Sequence, residues 1–554
     1  MTKLRNLSRF CLLLLAGALL PSCGNDAITA PQGAKEKILL FNNAADPRFL
    51  DPQLINSVSE HHLLMSLYEG LVAERPDTDV EVEPGMADRW EANADKTVWT
   101  FHLRDNAKWS DGVAITAEDF VWSWRRMLTK KMAAEYSQML FALKNGEAFY
   151  EGKVPAEEVG VKALDPRTLQ VSLVGPTPHF LLVLCHTSWW PVPRHTMEKF
   201  GDPFDRLSTK WMDDGNHVGN GPFKLKRNAF RRMVDVERNP HYWDAANVKL
   251  NGIRFYPVES DTTEERLFRQ QLLHVTQVIP LDKLPGYRKD HKDVVHTVSN
   301  LASYFYRINT TRGPLKDPKV RLALGLAIDR QSLVDNVTRG GQTPGTGIVP
   351  PMDGYEGAKI FHLDVAEARR LMAEAGFPDG KGFPKNLNIL INKSESHAQI
   401  AQAIQQMWRQ NLGVEIGIQQ QEFSVYLNST RRLDFDIARA GWNADYYDAA
   451  TFLGMWKSDD GNNQTGWKNP AYDQLMRDST QEGDLAKRAA ILHQAEEMML
   501  KEAPVLPIYN YAKNYLVHPS VKGWGPKKLD NHPWKYIDLV SPAPASTMDR
   551  FWNK

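Results

Sequence analysis

The stretch from Trp99 to Leu128 constrains the fold more than any other part of the chain. Trp99, Phe101 and Leu103 alternate with Thr100 and His102, the period-two mark of a strand that buries one face. Lys108-Trp-Ser-Asp-Gly112 supplies an Asp-Gly turn. Thr116-Ala-Glu-Asp119 has the pattern of a capping box, and Phe120, Val121, Trp124 and Leu128 follow on one helical face. A half-buried strand joined to a helix with its own start signal requires a layered α/β body. At 554 residues the chain has room for roughly three to four such units.

The first 22 residues read as an export signal. Lys3, Arg5 and Arg9 make a positive start, and the apolar run Phe10 to Leu20 is too short for a retained membrane helix. It ends in Leu20-Pro-Ser-Cys23-Gly, which resembles a lipobox, so Cys23 is the expected lipidation site. Cys11 leaves with the signal and Cys185 is expected as a small buried hydrophobe, so the mature chain has no disulfide. The small and polar residues up to Lys35 are expected to form a flexible tether.

Sixty-seven basic residues balance sixty-seven acidic ones, and mean hydropathy is −0.45, which points away from nucleic acid and polybasic membrane binding. No Gly-x-Ser-x-Gly elbow, His-Glu-x-x-His or paired-Cys metal site appears, and a non-enzymatic role without cofactor or metal is expected. Helical spacing predicts helices at about 60–71, 364–375 and 397–410, and one capped by Asp484. His61 and His62 fall in the first of these, about 100° apart, and a solvated or capping role is expected for them. Residues 337–357, rich in Gly and Pro, read as a long loop at a cleft mouth.

One stretch carries chemistry. Phe435 to Ala440 is a mostly apolar strand, Gly441-Trp442 breaks it, and Asp445 follows among Trp442, Tyr446 and Tyr447. A carboxylate among aromatics is costly unless a cation meets it. Arg439 is one candidate and a ligand ammonium another; a third reading is an edge strand whose Asp caps a helix.

Ala87-Asp-Arg-Trp90, Trp99 to Arg104, Lys108 to Gly112 and Thr116 to Trp124 closely resemble the signature block of the family 5 extracellular solute-binding proteins of ABC importers. The resemblance continues through His217 to Leu225, Asn239 to Asp244, Tyr304 to Asn309, Asp317 to Arg330 and Tyr536 to Leu539. Ala438 to Tyr446 is most similar to the oligopeptide-binding branch.

That resemblance implies a type II periplasmic binding protein fold, two lobes closing on a cleft plus an extra domain. Residues 36–68, 196–296 and 513–554 would form lobe I, 69–195 the extra domain, and 297–512 lobe III, with 1–22 as signal and 23–35 as tether. It implies an α-ammonium site at Asp445, backbone contacts from Gly441, Asn443 and Val58, and a wall from Trp442. Tyr136, Phe423 and His397 would also meet the peptide, while the family acid beside Val58 is Asn56 here. The family's basic position for the peptide carboxylate is Thr430, with Arg431 and Arg432 adjacent. The implied partners are short peptides and an ABC permease with its ATPase, and the implied state is a monomer held by lipid on the periplasmic or cell-surface face. Murein peptide, dipeptide, haem, nickel and oligosaccharide remain alternative ligands.

Overall fold

The computed structural model describes residues 28–552. The export signal, Cys23 and the first part of the expected tether lie outside the described residues.

Three main sheets organise the molecule. In the first, Ile38–Asn42 runs parallel to Gly252–Tyr256, followed by antiparallel Met233–Arg238 and Phe223–Ala229. The second is an antiparallel insertion of Ala87–Ala92, Val98–Leu103, Thr168–Ser172 and Val161–Asp165. Here Phe101 and Leu103 are buried while His102 is half-exposed, as the alternation requires. Thr116 starts the helix Ala117–Met127, with Asp119 accepting from its backbone N–H at 2.7 Å and its hydroxyl at 2.9 Å. The first two sheets share one continuous apolar core, which joins Phe41, Val234 and Ile253 to Phe101, Trp124 and Val171.

The third sheet has six strands, in the order Thr343–Pro344, Val505–Leu516, Val295–Ile308, Ile437–Asn443, Asn388–Asn392 and Gly417–Gln421, over a separate core. Two of its strands leave it. Val295 to Ser299 pairs with Leu516 to Ala512 beside the first body, and Ser303 to Arg307 pairs with Asn510 to Val505 inside the second. The register shifts between Ser299 and Ser303. Such irregularities bend strands, so the two bodies are joined through a kink in shared strands.

Several sequence expectations need correction. The expected tether is helical from Ala30 to Glu36, capped by Thr29. Ala30, Gly33 and Ala34 are buried, and a Cβ on Gly33 would stand 2.6 Å from the Ile38 carbonyl, so these small residues serve close packing rather than slack. The helix expected at 60–71 spans Val58–Leu67, because Ser57 accepts from the Glu60 N–H and chain extension at Tyr68 ends it. His62 is buried and bonded to the Asp530 carbonyl at 3.1 Å, and His61, half-buried, stacks on Trp190 and lines the cleft.

Residues 337–357 only begin at the cleft, where Thr338 and Gln342 line it. The rest wraps Glu496, whose fully buried carboxylate accepts from the N–H groups of Ile348, Val349 and Ala358 and from the Tyr355 hydroxyl, all within 2.8–3.0 Å. Removing one partner of buried polar groups costs about 1–3 kcal/mol per orphaned group. Glu496→Leu is therefore expected to lower the melting temperature by roughly 6–12 °C, taking about 3 kcal/mol and the slope for a large domain. A thermal melt unchanged within 2 °C would show that the loop does not depend on this acid.

Candidate ligand-binding cleft

The strand Ile437–Asn443 lies inside the six-stranded sheet, not at its edge. One side pairs with Ala302 to Ile308 along its whole length. On the other side Asn388–Asn392 pairs only with Ile437 and Ala438 and then diverges. The Ala444 N–H donates to the Leu301 carbonyl at 2.9 Å. Backbone groups alternate along an antiparallel strand, so Ala440 and Trp442 face the same neighbour as Ala444. The main-chain groups of Arg439, Gly441 and Asn443 therefore face the gap.

That gap opens onto an interior cavity of about 460 Å³ between the two bodies. The structure places Val58, Tyr136, His397, Phe423, Arg439, Gly441, Trp442, Asn443 and Asp445 on its walls together. Val58 is the first residue of its helix and 40% exposed. Phe423 stacks on Tyr426 at 6.3 Å, and Trp442 lies 6.0 Å from the Tyr136 ring. A Cβ on Gly441 would meet the Tyr511 hydroxyl at 2.9 Å, so glycine lets that ring approach the strand.

Asp445 stands at one end. Its Oδ1 accepts from the Tyr136 hydroxyl at 3.2 Å and its Oδ2 from the Thr451 hydroxyl at 3.0 Å. Burial pushes its pKa up to about 7, against the pull of Thr451 and Tyr136, and Asp460 adds to the rise. Helix capping here falls to Asp448, which accepts from the Ala450 N–H at 2.8 Å and pairs with Arg488 at 2.8 Å. Asp445 has no Lys or Arg within ion-pair distance among the described residues.

Arg439 is not its counter-charge. The two positions are six apart, and the strand that carries Arg439 runs on to Asn443, so at most roughly 20 Å of chain lies between them. The Arg439 guanidinium donates to the Tyr511 hydroxyl at 2.8 Å and to Asn392 Oδ1 at 3.2 Å, and lies 5.0 Å over the Tyr304 ring. No carboxylate pairs with it among the described residues. His397 lies beside it, its pKa held well below the ordinary range by burial and by the Arg439 charge. The Nδ1 of His397 has no hydrogen-bond partner among the described residues.

Other positions are already committed. Thr430 is buried with its hydroxyl on the Leu427 carbonyl at 3.0 Å. Arg431 forms an ion pair with Glu135, which also accepts from the Asn56 amide. Arg432 lies at the C-cap of the helix Phe423–Arg431.

Sequence reasoning missed His186, whose Nε2 is 3.6 Å from Asp445 Oδ1. It also missed a contact between two helix starts on opposite sides of the cleft. Glu395 accepts from the Ser260 hydroxyl at 3.0 Å and the Asp261 N–H at 3.1 Å, and Asp261 accepts from the Ser396 hydroxyl at 2.6 Å. Each helix thus places an acid on the positive N-terminus of the other. The Ser-Glu-Ser run at 394–396 was the available signal; its partner lies some 130 residues earlier.

Comparison with known proteins identifies the family and the fold. The profile of the bacterial extracellular solute-binding proteins, family 5 Middle, matches residues 81–464. The chain is 37% identical over 538 residues to the periplasmic oligopeptide-binding protein OppA of Salmonella typhimurium, covering 94% of this chain and 96% of that one. The crystal structure of Haemophilus influenzae OppA in complex with RPPGFSPFR superposes with a TM-score of 0.86 at 32% identity, covering 92% and 99% of the two chains. The Escherichia coli murein tripeptide-binding protein MppA gives 0.85 at 32% identity over 91% and 98%. The unliganded open form of MppA gives only 0.61, at 31% identity over the same shares. The fold is therefore that of the type II periplasmic binding proteins, with the two bodies brought together. The chain belongs to the bacterial extracellular solute-binding proteins of family 5, a family of binding proteins rather than enzymes.

Proposed function

We propose that this protein captures short oligopeptides in the cleft and delivers them to a membrane ABC permease with its ATPase. On this reading it is an exported lipoprotein anchored through Cys23. Asp445 takes the peptide α-ammonium. Gly441 and Asn443 pair with the peptide main chain as an added strand, a mode of recognition that is indifferent to side-chain identity. Tyr136, Trp442, Val58 and Phe423 supply the walls. Arg439 and His397, at the opposite end, receive the carboxylate of a peptide of suitable length.

One observation carries the reading: a buried carboxylate met only by neutral donors, at one end of an unpaired strand edge whose other end holds an arginine without an acid. The separation of the two charges, less the reach of both side chains, suits an extended peptide of roughly three to five residues.

Mass spectrometry of small molecules released from the purified protein is expected to yield free-amine peptides. Titration calorimetry should then give tight binding of a tripeptide and poor binding of its N-acetyl form. Equal binding of the two forms would refute the ammonium site.

The pH dependence follows from Asp445. An ammonium ligand binds the ionised acid, so affinity is expected to fall as pH drops through about 7, approaching tenfold per unit. It should fall again above about 8 as the peptide amine loses its proton. A flat calorimetric profile from pH 5 to 8 would contradict this assignment.

A further inference from the structure

His186 plays no part in the reading so far, although it is the one ionisable nitrogen-bearing side chain within 4 Å of the Asp445 carboxylate among the described residues. Its ring is fixed on every side. The Ser188 N–H donates to Nδ1 at 3.3 Å, and the Ser188 hydroxyl lies 2.9 Å from the same atom and 3.3 Å from the Met139 sulfur. His61 stacks on the imidazole at 6.0 Å with 14° between the planes, and Tyr136 packs against it at 4.5 Å. The turn that carries it is tied to the capped helix, because Trp124 Nε1 donates to the Trp189 carbonyl at 2.8 Å.

A backbone N–H can only donate, so Nδ1 is an acceptor and the ring proton resides on Nε2. That proton faces Asp445 Oδ1. Burial, and secondarily the neighbouring His61, keep the imidazole uncharged. The separation of 3.6 Å is too long for a formed hydrogen bond. Contacts of this kind commonly tighten when a ligand completes the site.

We propose that His186 is a positioning residue for the ammonium site, donating from Nε2 to Asp445 as a third neutral donor beside Tyr136 and Thr451. A Lys or Arg at this place would neutralise the acid from within. A neutral N–H aims the carboxylate and leaves its whole charge for the ligand. The inference rests on the peptide-binding reading above and adds the residue that orients its anchor.

The test uses two amides that mimic different ring atoms. In His186→Gln the side-chain nitrogen reaches the place of Nε2; in His186→Asn it reaches only the place of Nδ1. Calorimetry on the whole protein with trialanine and N-acetyl-trialanine reads the difference. His186→Asn is expected to weaken trialanine roughly 10- to 150-fold, the range for a hydrogen bond to a charged group. His186→Gln should stay within about threefold of the parent, and N-acetyl-trialanine should respond to neither. Equal losses in both variants, no loss in either, or a matching loss for the acetylated peptide would each overturn the role of His186 while the peptide-binding reading stands. A parent protein that takes no trialanine overturns both.

Discussion

Asp445→Ala is expected to weaken binding of a free-amine tripeptide by on the order of 10²–10³-fold. The variant leaves the ligand ammonium inside a closed cleft with no opposite charge, and stripping one partner from a buried ion pair costs about 3–5 kcal/mol. The protein itself loses little, because among the described residues the side-chain hydrogen bonds to this acid come from the neutral hydroxyls of Tyr136 and Thr451. The melting temperature should therefore stay at or above that of the parent, because the buried acid is removed from a desolvated site. An N-acetylated peptide, which has no charge to lose, should bind parent and variant alike. Titration calorimetry of both ligands checks this, and a loss below about tenfold for the free amine would remove Asp445 from its assigned role.

Arg439→Met is the second large effect. It keeps the length of the side chain and removes the guanidinium, so a carboxylate reaching that end of the cleft is buried without a partner. Truncating one side of such a pair costs about 2–5 kcal/mol, or roughly 30- to 1000-fold and more in affinity. The ligand distinguishes this from damage to the wall, since Arg439 also bonds to Tyr511 and Asn392 and covers the Tyr304 ring. A C-terminally amidated peptide should lose far less than the free acid on going from parent to variant. Equal losses for both would assign Arg439 to packing. Lysine is not a neutral replacement, because its point charge cannot hold two hydrogen bonds and lie flat on a ring at once.

The parts of this molecule that were legible in the sequence are those governed by local rules. Alternation at Trp99, Phe101 and Leu103, the capping box at Thr116 and the cap at Asp484 are all satisfied by residues a few positions apart. Asp445 was conspicuous because a carboxylate among aromatics asks for a partner. What stayed hidden depends on contacts between distant segments. Arg439 looked like a counter-charge because it is near Asp445 in sequence, yet along an extended strand six residues is a long way. A solvated or capping role was expected for His61 because its neighbours across space, His186 and Trp190, lie more than a hundred residues on. The helix at Ala30–Glu36 was obscured by small residues, which are as characteristic of tight packing as of a linker.

The exchange of acids between the helix starts at Asp261 and Glu395 involves no ligand atom in the proposed pose, yet it forms only when the two bodies meet. Part of the free energy of shutting the jaws is therefore supplied by the protein alone, the same for every guest. Selection can adjust it without touching the pockets: a stronger grip at this seam tightens all cargoes in proportion, and a weaker one loosens all of them. How firmly the receptor holds and what it prefers to hold are thereby separable traits, written in different residues.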